Sequence, residues 1–424
     1  MSIICGTDLS EASLGALDVA RALAPLQPPS GADEVVLVHV VEDEPSAADR
    51  AALRVKLEAH ARAGGGPSVR AEIVVGPPDE ALVGFAETEG AQLIVIAAQS
   101  HVERSFTRLG RTAAQVIART HVPVIVVRDP APWLAFARGD RPLKLLLGID
   151  DSATCDLGVQ WTIALGKRGP LEVVLGAIYY PDDAAAHYGL PARALIEADP
   201  EIERLTERDL VRRFSGSAAP GVTRAGVTAR ARRGLGRIGD HMIELARDEQ
   251  VDAIVVGTGQ KTGLGRLGSV SSVIVQDAPV SVVCVPPQAV VITHNVPVLR
   301  QALVATDLSQ FANRAVPYAF ALTQADGVVD ILHVVKEDAE IDEPALIRQL
   351  QALAPAGATH EVRAHIVRGD DAATTMAQCA ARFGVDVICI ASHGRSGLTR
   401  ALVGSVADRL LRVTRLPVLV LRPA

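Results

Sequence analysis

The chain of 424 residues contains the same succession of short apolar runs three times. Each copy opens with an apolar run that leads into Asp-x-Ser, at Asp8 and Ser10, at Asp150 and Ser152, and at Asp307 and Ser309. Four more apolar runs follow in each copy, and the last of them reads "PVIVV", "PVSVV" or "PVLVL". Such internal repetition indicates that one supersecondary unit is built three times.

The segments between the apolar runs have helical spacing. Stretches such as "EALVGFAETEG" and "AATTMAQCAARFG" carry apolar residues three and four positions apart. Short strands that alternate with helices predict βαβ units with right-handed crossovers and a parallel sheet. Aromatic residues make up only 3% of the chain, which favours aliphatic strands buried on both faces. We therefore predict three α/β domains, each with a parallel sheet of about five strands flanked by helices.

Proline-bearing segments interrupt this pattern at residues 129–142 and 286–297. They set the predicted domain bounds at 1–128, 142–286 and 298–424. The second domain is the longest because of an insertion at residues 182–214, which we predict to be a helical flap.

Charge, hydropathy and cysteine usage exclude several classes of protein. A net charge of −7 gives no electrostatic footprint for nucleic acid. The apolar runs are too short to cross a bilayer, and "MSIICGTDLS" lacks the layout of a signal peptide, so we expect a cytoplasmic protein without membrane contact. The cysteines lack metal-ligand spacing and predict buried, reduced thiols at Cys5, Cys155, Cys284, Cys379 and Cys389.

The glycine-spaced segment "ASHGRSGLTRALVGSVADRLL", residues 391–411, follows directly on the apolar run "VDVICI". In an open parallel sheet, ligands bind beyond the carboxyl ends of the strands. Gly394 and Gly404 let backbone N–H groups approach a ligand closely, and Ser405 lies at the start of a predicted helix. These features predict an anion site suited to phosphate, with Asp307 on the opposite wall to orient a ribose, a base or a metal ion.

The three repeats resemble universal stress protein (UspA-type) domains over nearly the whole chain. The nucleotide-binding branch of that family carries Gly-x-x-Gly, nine residues, then Gly-Ser or Gly-Thr. The third repeat has Ala391-Ser392-His393-Gly394, nine residues, then Gly404-Ser405, and departs only at Ala391. The resemblance implies three tandem Rossmann-like domains of the adenine nucleotide alpha hydrolase-like kind.

The resemblance also implies a ligand and the residues that hold it. The family's adenine contact falls on Val334 and its acidic position on Asp307, beside Thr306. Its phosphate-loop positions fall on Ser392, His393, Gly394, Gly404, Ser405 and Val406. The implied ligand is ATP or a related adenine nucleotide, with Mg²⁺ held through Asp307. No catalytic residue is implied, and at most slow ATP hydrolysis or autophosphorylation would occur.

Family members pair through their last strand. Two repeats of one chain can satisfy each other in this way, which leaves the third with an open aliphatic edge. We therefore expect a homodimer in which the odd repeat pairs between chains, although the sequence does not say which repeat that is.

The nucleotide motif is damaged in the other two copies. The second repeat keeps Asp150, Gly257, Gly268 and Ser269, but Gln260 replaces the second glycine and the gap after it is two residues shorter. The first repeat keeps the nine-residue gap before Gly110, but it has Ala97, Ser100 and Arg111 at motif positions. We expect the third site to bind, the second to be doubtful and the first to be empty.

Several features also have structural explanations. Ser405 could cap its helix, with Asp408 completing a capping box. Asp307 and Ser309 could cap the helix predicted for "QFANRAVPYAFAL", and for the first two repeats we take the Asp-x-Ser as a cap. His39 and His333 are expected to be core histidines with a bonded ring nitrogen. "GLGRIG" at 234–239 is interpreted as a turn after the third strand of repeat two. A scaffold or protein-interaction module that binds no nucleotide is the alternative function.

Overall fold

The computed structural model describes residues 2–24, 35–63, 69–98, 109–150, 153–191, 199–217, 226–259, 269–289, 298–391 and 404–421. The chain divides into two compact units. Unit 1 comprises Met1–Tyr179 and Leu210–Asn295, and unit 2 comprises Tyr180–Asp209 and Val296–Ala424.

The first repeat alternates strands and helices as predicted, and a further helix, α5, follows it. Its elements are β1 (Ile3–Thr7), α1 (Glu11–Leu23), β2 (Val35–Val41), α2 (Ala47–Arg62), β3 (Val69–Val75), α3 (Pro78–Thr88), β4 (Leu93–Ala97), α4 (Arg111–Arg119), β5 (Val124–Val127) and α5 (Ala131–Arg138).

The second repeat has the same alternation with two inserted helices after its second strand. Its elements are β6 (Leu143–Gly148), α6 (Ala153–Gly166), β7 (Leu171–Tyr179), α7 (Pro181–Tyr188), α8 (Pro200–Ser217), β8 (Val227–Arg233), α9 (Ile238–Asp248), β9 (Ala253–Gly257), α10 (Ser269–Asp277) and β10 (Ser281–Val285). The "GLGRIG" segment joins β8 to α9, which confirms that it is a turn after the third strand.

Unit 1 is built on one sheet of ten strands, ordered β3-β2-β1-β4-β5-β10-β9-β6-β7-β8. Every neighbouring pair is parallel except β5 and β10, which run antiparallel. Ile125 lies directly opposite Val283 in that pair. The last strands of the first two repeats therefore pair within the chain, as expected.

The proline-bearing segment after β5 is a helix. In α5, Trp133 is fully buried and Phe136 almost fully buried, and Gly139 ends the helix in the left-handed conformation that favours glycine. Because α5 has only eight residues, its apolar positions repeat too few times to reveal a helix in the sequence.

Unit 2 contains the third repeat, whose described strands form a second parallel sheet. Its elements are β11 (Gln301–Ala305), a 3₁₀ turn (Ala312–Ala315), α11 (Val316–Leu322), β12 (Val328–Val335), α12 (Glu343–Gln351), β13 (Glu361–Arg368), α13 (Ala372–Phe383), β14 (Val387–Ala391), α14 (Ser405–Val413) and β15 (Val418–Leu421). The strand order is β13-β12-β11-β14-β15, so β15 is an edge strand of this sheet. The three predicted parallel α/β repeats are thus confirmed.

The first helix of the third repeat differs from the prediction. A 3₁₀ turn precedes α11, and the α-helix itself has Pro317 in its first turn. Proline has no N–H group to donate, so an α-helix tolerates it only at its start.

The insertion is helical, as predicted, and residues 180–209 belong to unit 2 although they lie within the second repeat in sequence. Among the described residues, we find no helix with the length and apolarity that crossing a membrane requires.

Candidate functional site

The carboxyl edge of the unit 2 sheet is where a ligand site is expected. The chain runs from β11 to β12 and β13 on one side, and then returns to β14 and β15 on the other. This reversal between β11 and β14 is the position at which open α/β sheets form a ligand crevice. Asp307 follows β11 at this edge, and α14 begins after the loop that follows β14.

A tight turn holds Asp307 at the end of β11. Thr306 Oγ1 accepts the N–H of Leu308 at 2.9 Å and donates to Asn313 Oδ1 at 2.7 Å. Asp307 Oδ1 accepts the N–H of Ser309 at 2.9 Å. Leu308 has a φ of 66°, a left-handed conformation that is uncommon for a residue other than glycine. The turn leaves the Asp307 side chain exposed.

The charge of Asp307 is stabilised by its neighbours. A hydrogen bond from the Ser309 side chain is the main cause that lowers the pKa of Asp307 below its ordinary value. The carboxylate is therefore ionised at neutral pH. The Ser309 hydroxyl oxygen also accepts the N–H of Ala312 at 3.1 Å, but the N-caps of the 3₁₀ turn and of α11 are Phe311 and Ala315, so Ser309 does not cap a helix here.

The end of β12 lies beside this turn. His333 Nδ1 donates to the carbonyl oxygen of Thr306 at 2.8 Å, and Val334 follows it as a half-buried residue. In the first repeat, His39 Nδ1 makes the same bond to the carbonyl oxygen of Thr7 at 2.9 Å. The predicted bonded ring nitrogen is confirmed for both histidines, but each is half-buried near the end of its strand and does not lie in the core.

Helix α14 begins differently from the predicted capping box. Its N-cap is Gly404, with φ −57° and ψ 153°, and no side chain caps the helix. Ser405 is the first helical residue, so it cannot be the cap, and the capping-box prediction is wrong. The Asp408 carboxylate pairs with Arg412 at 3.1 Å instead of reaching back. Ser405 and Val406 are both exposed. Ser392, His393 and Gly394 lie outside the described residues.

The first repeat repeats much of this geometry. Ser10 caps α1, as predicted, and Asp8 Oδ1 accepts the N–H of Ser10 at 3.0 Å. Leu9 has a φ of 63°, close to that of Leu308. Gly110 is the N-cap of α4, with φ −63° and ψ 147°, again without a side-chain cap. Arg111 takes the place of Ser405.

In the second repeat, close packing requires the motif glycine Gly257. A Cβ atom added to Gly257 would lie 2.9 Å from the backbone of Thr154. Close packing against α6 therefore accounts for this glycine without a ligand. Asp150 is exposed at the end of its strand, and Ser269 begins α10, whereas Gly268 lies outside the described residues.

The sequence interpretation named Thr306 beside Asp307 but missed Asn313, whose bond to Thr306 helps to fix the turn that carries Asp307. A signal was present, because the tetrapeptide Thr-Asp-Leu-Ser occurs both at 7–10 and at 306–309. An identical tetrapeptide with the same left-handed leucine indicates a common backbone requirement.

A metal ion at this site would have one protein carboxylate. The described residues contain no group of three or more histidine, cysteine, aspartate or glutamate side chains that could hold a metal ion. Mg²⁺ in nucleotide sites commonly uses one or two carboxylates together with phosphate oxygens and water. The donor set of Asp307 alone fits such a nucleotide-borne ion and not a metal held by the protein only.

Comparison with known proteins identifies the family. Residues 1–128, 143–286 and 299–422 each match the Universal stress protein family. These matches take in most of the chain, and the chain belongs to the universal stress protein family. Its three repeats are tandem Usp repeats. No curated protein sequence matches it significantly.

Solved structures of the same family resemble parts of the chain. A universal stress protein from Archaeoglobus fulgidus DSM 4304 is 18% identical, with a TM-score of 0.46, over 68% of this chain and 98% of that chain. A universal stress protein in complex with cAMP is 22% identical, with a TM-score of 0.26, over 30% of this chain and 99% of that one. A family protein from Burkholderia pseudomallei is 25% identical, with a TM-score of 0.23, over 30% and 97% of the two chains.

Proposed function

We propose that the third repeat binds an adenine nucleotide, ATP in the first place, and that its occupancy serves a regulatory role in the stress response. The observation that carries the proposal is the start of α14. This helix begins at a glycine cap and places the exposed hydroxyl residue Ser405, where the first repeat has Arg111, at the same sheet edge as the ionised Asp307.

The phosphates are assigned to the amino end of α14. The N–H groups in the first turn of a helix have no partner within the helix, and the helix dipole favours an anion there. Gly404 brings no side chain to this position, and the Ser405 hydroxyl is not engaged as a cap. On the sequence alone, Ser392, His393 and Gly394 complete the phosphate loop.

The nucleoside is assigned to the ends of β11 and β12. Asp307 accepts hydrogen bonds from ribose hydroxyls or binds a Mg²⁺ ion carried by the phosphates, and Thr306 holds it in place through the turn. The backbone at Val334 contacts the adenine. Support comes from the Thr306–His333 bond of 2.8 Å, which keeps these two strand ends together. The family includes a protein solved with cAMP, which is also an adenine nucleotide.

A matched pair of glycine substitutions tests the proposal. Gly404→Val places a branched side chain at the phosphate position, and Gly110→Val makes the same change at the equivalent cap of the first repeat. A Cβ atom at Gly110 would meet the Ala98 carbonyl oxygen only at 3.6 Å, so the control substitution is sterically tolerated.

We expect calorimetry with ATP and Mg²⁺ to find about one nucleotide per chain for the wild type. Gly404→Val should weaken binding about tenfold or more, and Gly110→Val should leave it unchanged, because only the third repeat retains the motif. The proposal fails if the wild type binds no adenine nucleotide, or if only Gly110→Val weakens binding.

The second repeat is proposed not to add a second site. Of its candidates Asp150, Gly257, Gly268 and Ser269, Gly257 is explained by its contact with Thr154. A stoichiometry of two nucleotides per chain that falls to one on Gly268→Val would show that this repeat also binds.

A scaffold function is the second candidate, and one observation favours it. The first repeat builds the same Asp-containing turn although Arg111 replaces the motif serine at the start of its fourth helix. The turn therefore forms where the nucleotide motif is lost, and the fold alone can require it. If purified protein binds no adenine nucleotide while the stress-related activity in cells survives Gly404→Val, the scaffold function is correct.

We further propose a homodimer through β15. In unit 1, β5 and β10 are fully buried where they pair, whereas all four residues of β15 are only partly buried. On the preceding helix, Leu411 is 47% exposed, while the equivalent Ile117 and Val275 are 3% and 1% exposed. The third repeat thus leaves uncovered the surface that the first two repeats cover with each other.

The register of the internal pair specifies the proposed dimer. Ile125 and Val283 hold equivalent positions in their repeats and lie opposite each other, so the pair is locally two-fold. The equivalent residue of β15 is Leu419. In an antiparallel dimer of the same register, Leu419 lies opposite Leu419 of a second copy, and Val418 lies opposite Val420.

Cysteine cross-linking tests this register. Leu419→Cys, in a Cys389→Ala background because Cys389 pairs with Leu419 inside the sheet, should form a covalent dimer under mild oxidation. Val420→Cys is the matched control, because in the proposed register Val420 of one chain lies two positions away from Val420 of the second copy. Burial raises the pKa of Cys5 and Cys284 to about 12, so these thiols contribute little background. A monomer at micromolar concentration, or equal cross-linking of both variants, contradicts the proposed dimer.

The remaining assignments are proposals on the same footing. The three domains have the bounds 1–128, 142–286 and 298–424, and the protein acts in the cytoplasm. No residue is assigned a catalytic role.

A further inference from the structure

The carboxyl end of α13 in the third repeat is covered by residues that belong to the second repeat in sequence. Residues 180–209, which comprise α7 and the first part of α8, form one compact unit with the third repeat. This segment is here called the clamp. Its contacts with α13 are polar at both ends and apolar between them.

Arg208 of the clamp adds to the carboxyl-terminal cap of α13, in which the N–H of Gly384 already donates to the carbonyl oxygens of Ala380 and Ala381. Its Nη1 donates to the carbonyl oxygen of Arg382 at 2.5 Å, and its Nη2 donates to that of Ala381 at 2.6 Å. The last carbonyl groups of a helix lack intrahelical partners, and the dipole favours a cation there. Asp209 accepts from Arg208 Nε at 2.9 Å and so holds the guanidinium in this orientation.

An apolar contact lies beside this cap. Leu205 and Tyr188 of the clamp are 1% and 4% exposed, and they form a buried cluster with Ala381 of α13. The Tyr188 hydroxyl donates to Asp209 Oδ2 at 2.9 Å, and burial raises the pKa of Tyr188. The same carboxylate therefore joins the apolar contact to the arginine cap.

The end of α7 is fitted closely to α13. Gly189 ends α7 with a φ of 63°, and a Cβ atom at this position would lie 3.2 Å from the Cβ atom of Gln378. Gln378 Nε2 donates to the carbonyl oxygen of Ala186 at 3.1 Å. The clamp and α13 thus each donate a side-chain hydrogen bond to a carbonyl group near a helix end of the other.

Helix α13 in turn packs against α14. Asp371 Oδ2 pairs with Arg409 Nη2 at 2.8 Å, and Ala380, Ala407 and Leu410 are buried in the same core. A change that loosens α13 is therefore expected to reach α14 through a contiguous set of contacts.

We infer that the clamp is an integral part of the third repeat's structure. The stability of this repeat then depends on a segment that lies within the second repeat in sequence. Without the clamp, α13 would keep its glycine cap at Gly384 but would lose the charged hydrogen bonds from Arg208 and expose Ala381. The inference is independent of whether any nucleotide binds.

Hydrogen exchange on the full chain tests the inference. Arg208→Ala removes the charged hydrogen bonds to the end of α13, and Leu205→Ala removes the apolar contact. Arg204→Ala is the control, because Arg204 is exposed one turn earlier on α8. For Arg208→Ala we expect the amides of 372–383 to exchange about tenfold faster or more, since hydrogen bonds to a charged group are lost. Leu205→Ala should act in the same direction, and Arg204→Ala should not.

Peptides of α1 and α9 in unit 1 serve as the internal reference. A variant whose unit 2 exchanges completely while the reference peptides stay protected supports the inference most strongly. If Arg208→Ala impairs folding of the whole chain, Arg208→Lys, which keeps the charge but not the two-pronged geometry, should give a smaller acceleration at 372–383. Exchange at 372–383 within twofold of the wild type in both clamp variants overturns the inference.

Discussion

The first and third repeats build the same turn at the end of their first strand, but they differ at the start of their fourth helix and in whether their last strand is paired. In each, the sequence Thr-Asp-Leu-Ser forms a turn with a left-handed leucine, and a strand histidine donates to the threonine carbonyl. In each, a glycine without a side-chain cap begins the fourth helix. The first repeat continues with Arg111, and the third continues with Ser405.

This comparison separates what the fold requires from what a ligand would require. The turn, the histidine bond and the glycine cap occur in a repeat whose nucleotide motif is lost, so they are properties of the fold. Three features distinguish the third repeat: Ser405 at the start of the helix, the motif glycine Gly394 in the preceding sequence, and the edge position of the last strand. The predictions below test these differences, beginning with the largest effect.

A charged residue in the last strand should have different effects in the first and third repeats, because β5 pairs with β10 whereas β15 is an edge strand. Ile125→Asp buries an unpaired carboxylate between β5 and β10, where Ile125 is fully buried, and should cost about 4 kcal/mol or more of unfolding free energy. Leu419→Asp at the equivalent position of β15 should leave the monomer folded and abolish the dimer. Both tryptophans, Trp133 and Trp161, lie in unit 1, so their fluorescence during urea unfolding reports on Ile125→Asp. Sedimentation reports on Leu419→Asp, and a dimer that persists in this variant would contradict the proposed interface.

Shortening a side chain on the helix before the last strand tests the same difference between the first and third repeats. Ile117→Ala should destabilise unit 1 by about 2–5 kcal/mol because it leaves a cavity. Leu411→Ala should change monomer stability by less than about 1 kcal/mol, because nearly half of this side chain is already exposed. It should nevertheless weaken dimerisation, which dilution in a sedimentation experiment can measure. Equal destabilisation of both units would indicate that Leu411 is covered in the monomer.

Neutralising the turn carboxylates tests whether the crevices differ in function. Asp307→Asn keeps an oxygen that can accept the Ser309 N–H, but it removes the charge available to Mg²⁺ or ribose. We expect nucleotide binding to weaken about tenfold, as for the loss of one charged hydrogen bond. Asp8→Asn, the matched change in the first repeat, should have no effect on binding measured by calorimetry. An equal loss of binding in both variants would contradict the assignment of the nucleotide site to the third repeat alone.

The smallest expected effect is a pH dependence of unit 2. The folded state lowers the pKa of Asp307 from its ordinary value of 3.8, so its contribution to stability is present above that value. The contribution is lost as the pH falls through the lowered pKa. Wild type should therefore be slightly more stable than Asp307→Asn at pH 7, and the difference should disappear in strong acid. Urea unfolding followed by far-UV circular dichroism at pH 7 and at about pH 2.5 measures the difference; a larger difference in acid would reverse the predicted sign.

Some parts of the site could be predicted from the sequence, and others could not. Asp307 and Val334 fall at strand ends because aliphatic runs of this kind locate strands reliably. The Ser405 capping box was wrong because the sequence pattern does not say at which residue the chain turns into the helix, and it turns at Gly404. Asn313 was missed because its bond to Thr306 depends on a 3₁₀ turn that a helical pattern conceals.

The same distinction holds for the architecture. The threefold repetition, the aliphatic strands and their alternation with helices are local properties, and the sequence by itself determined three parallel α/β repeats from them. Which last strands pair, and which repeat the insertion completes, were decided only by the tertiary structure. The three "PVxVx" strands are nearly equivalent in composition, and an insertion of two helices can cover any suitable helix end. The choice among them depends on contacts between residues far apart in the chain, such as Ile125 with Val283 and Arg208 with Ala381.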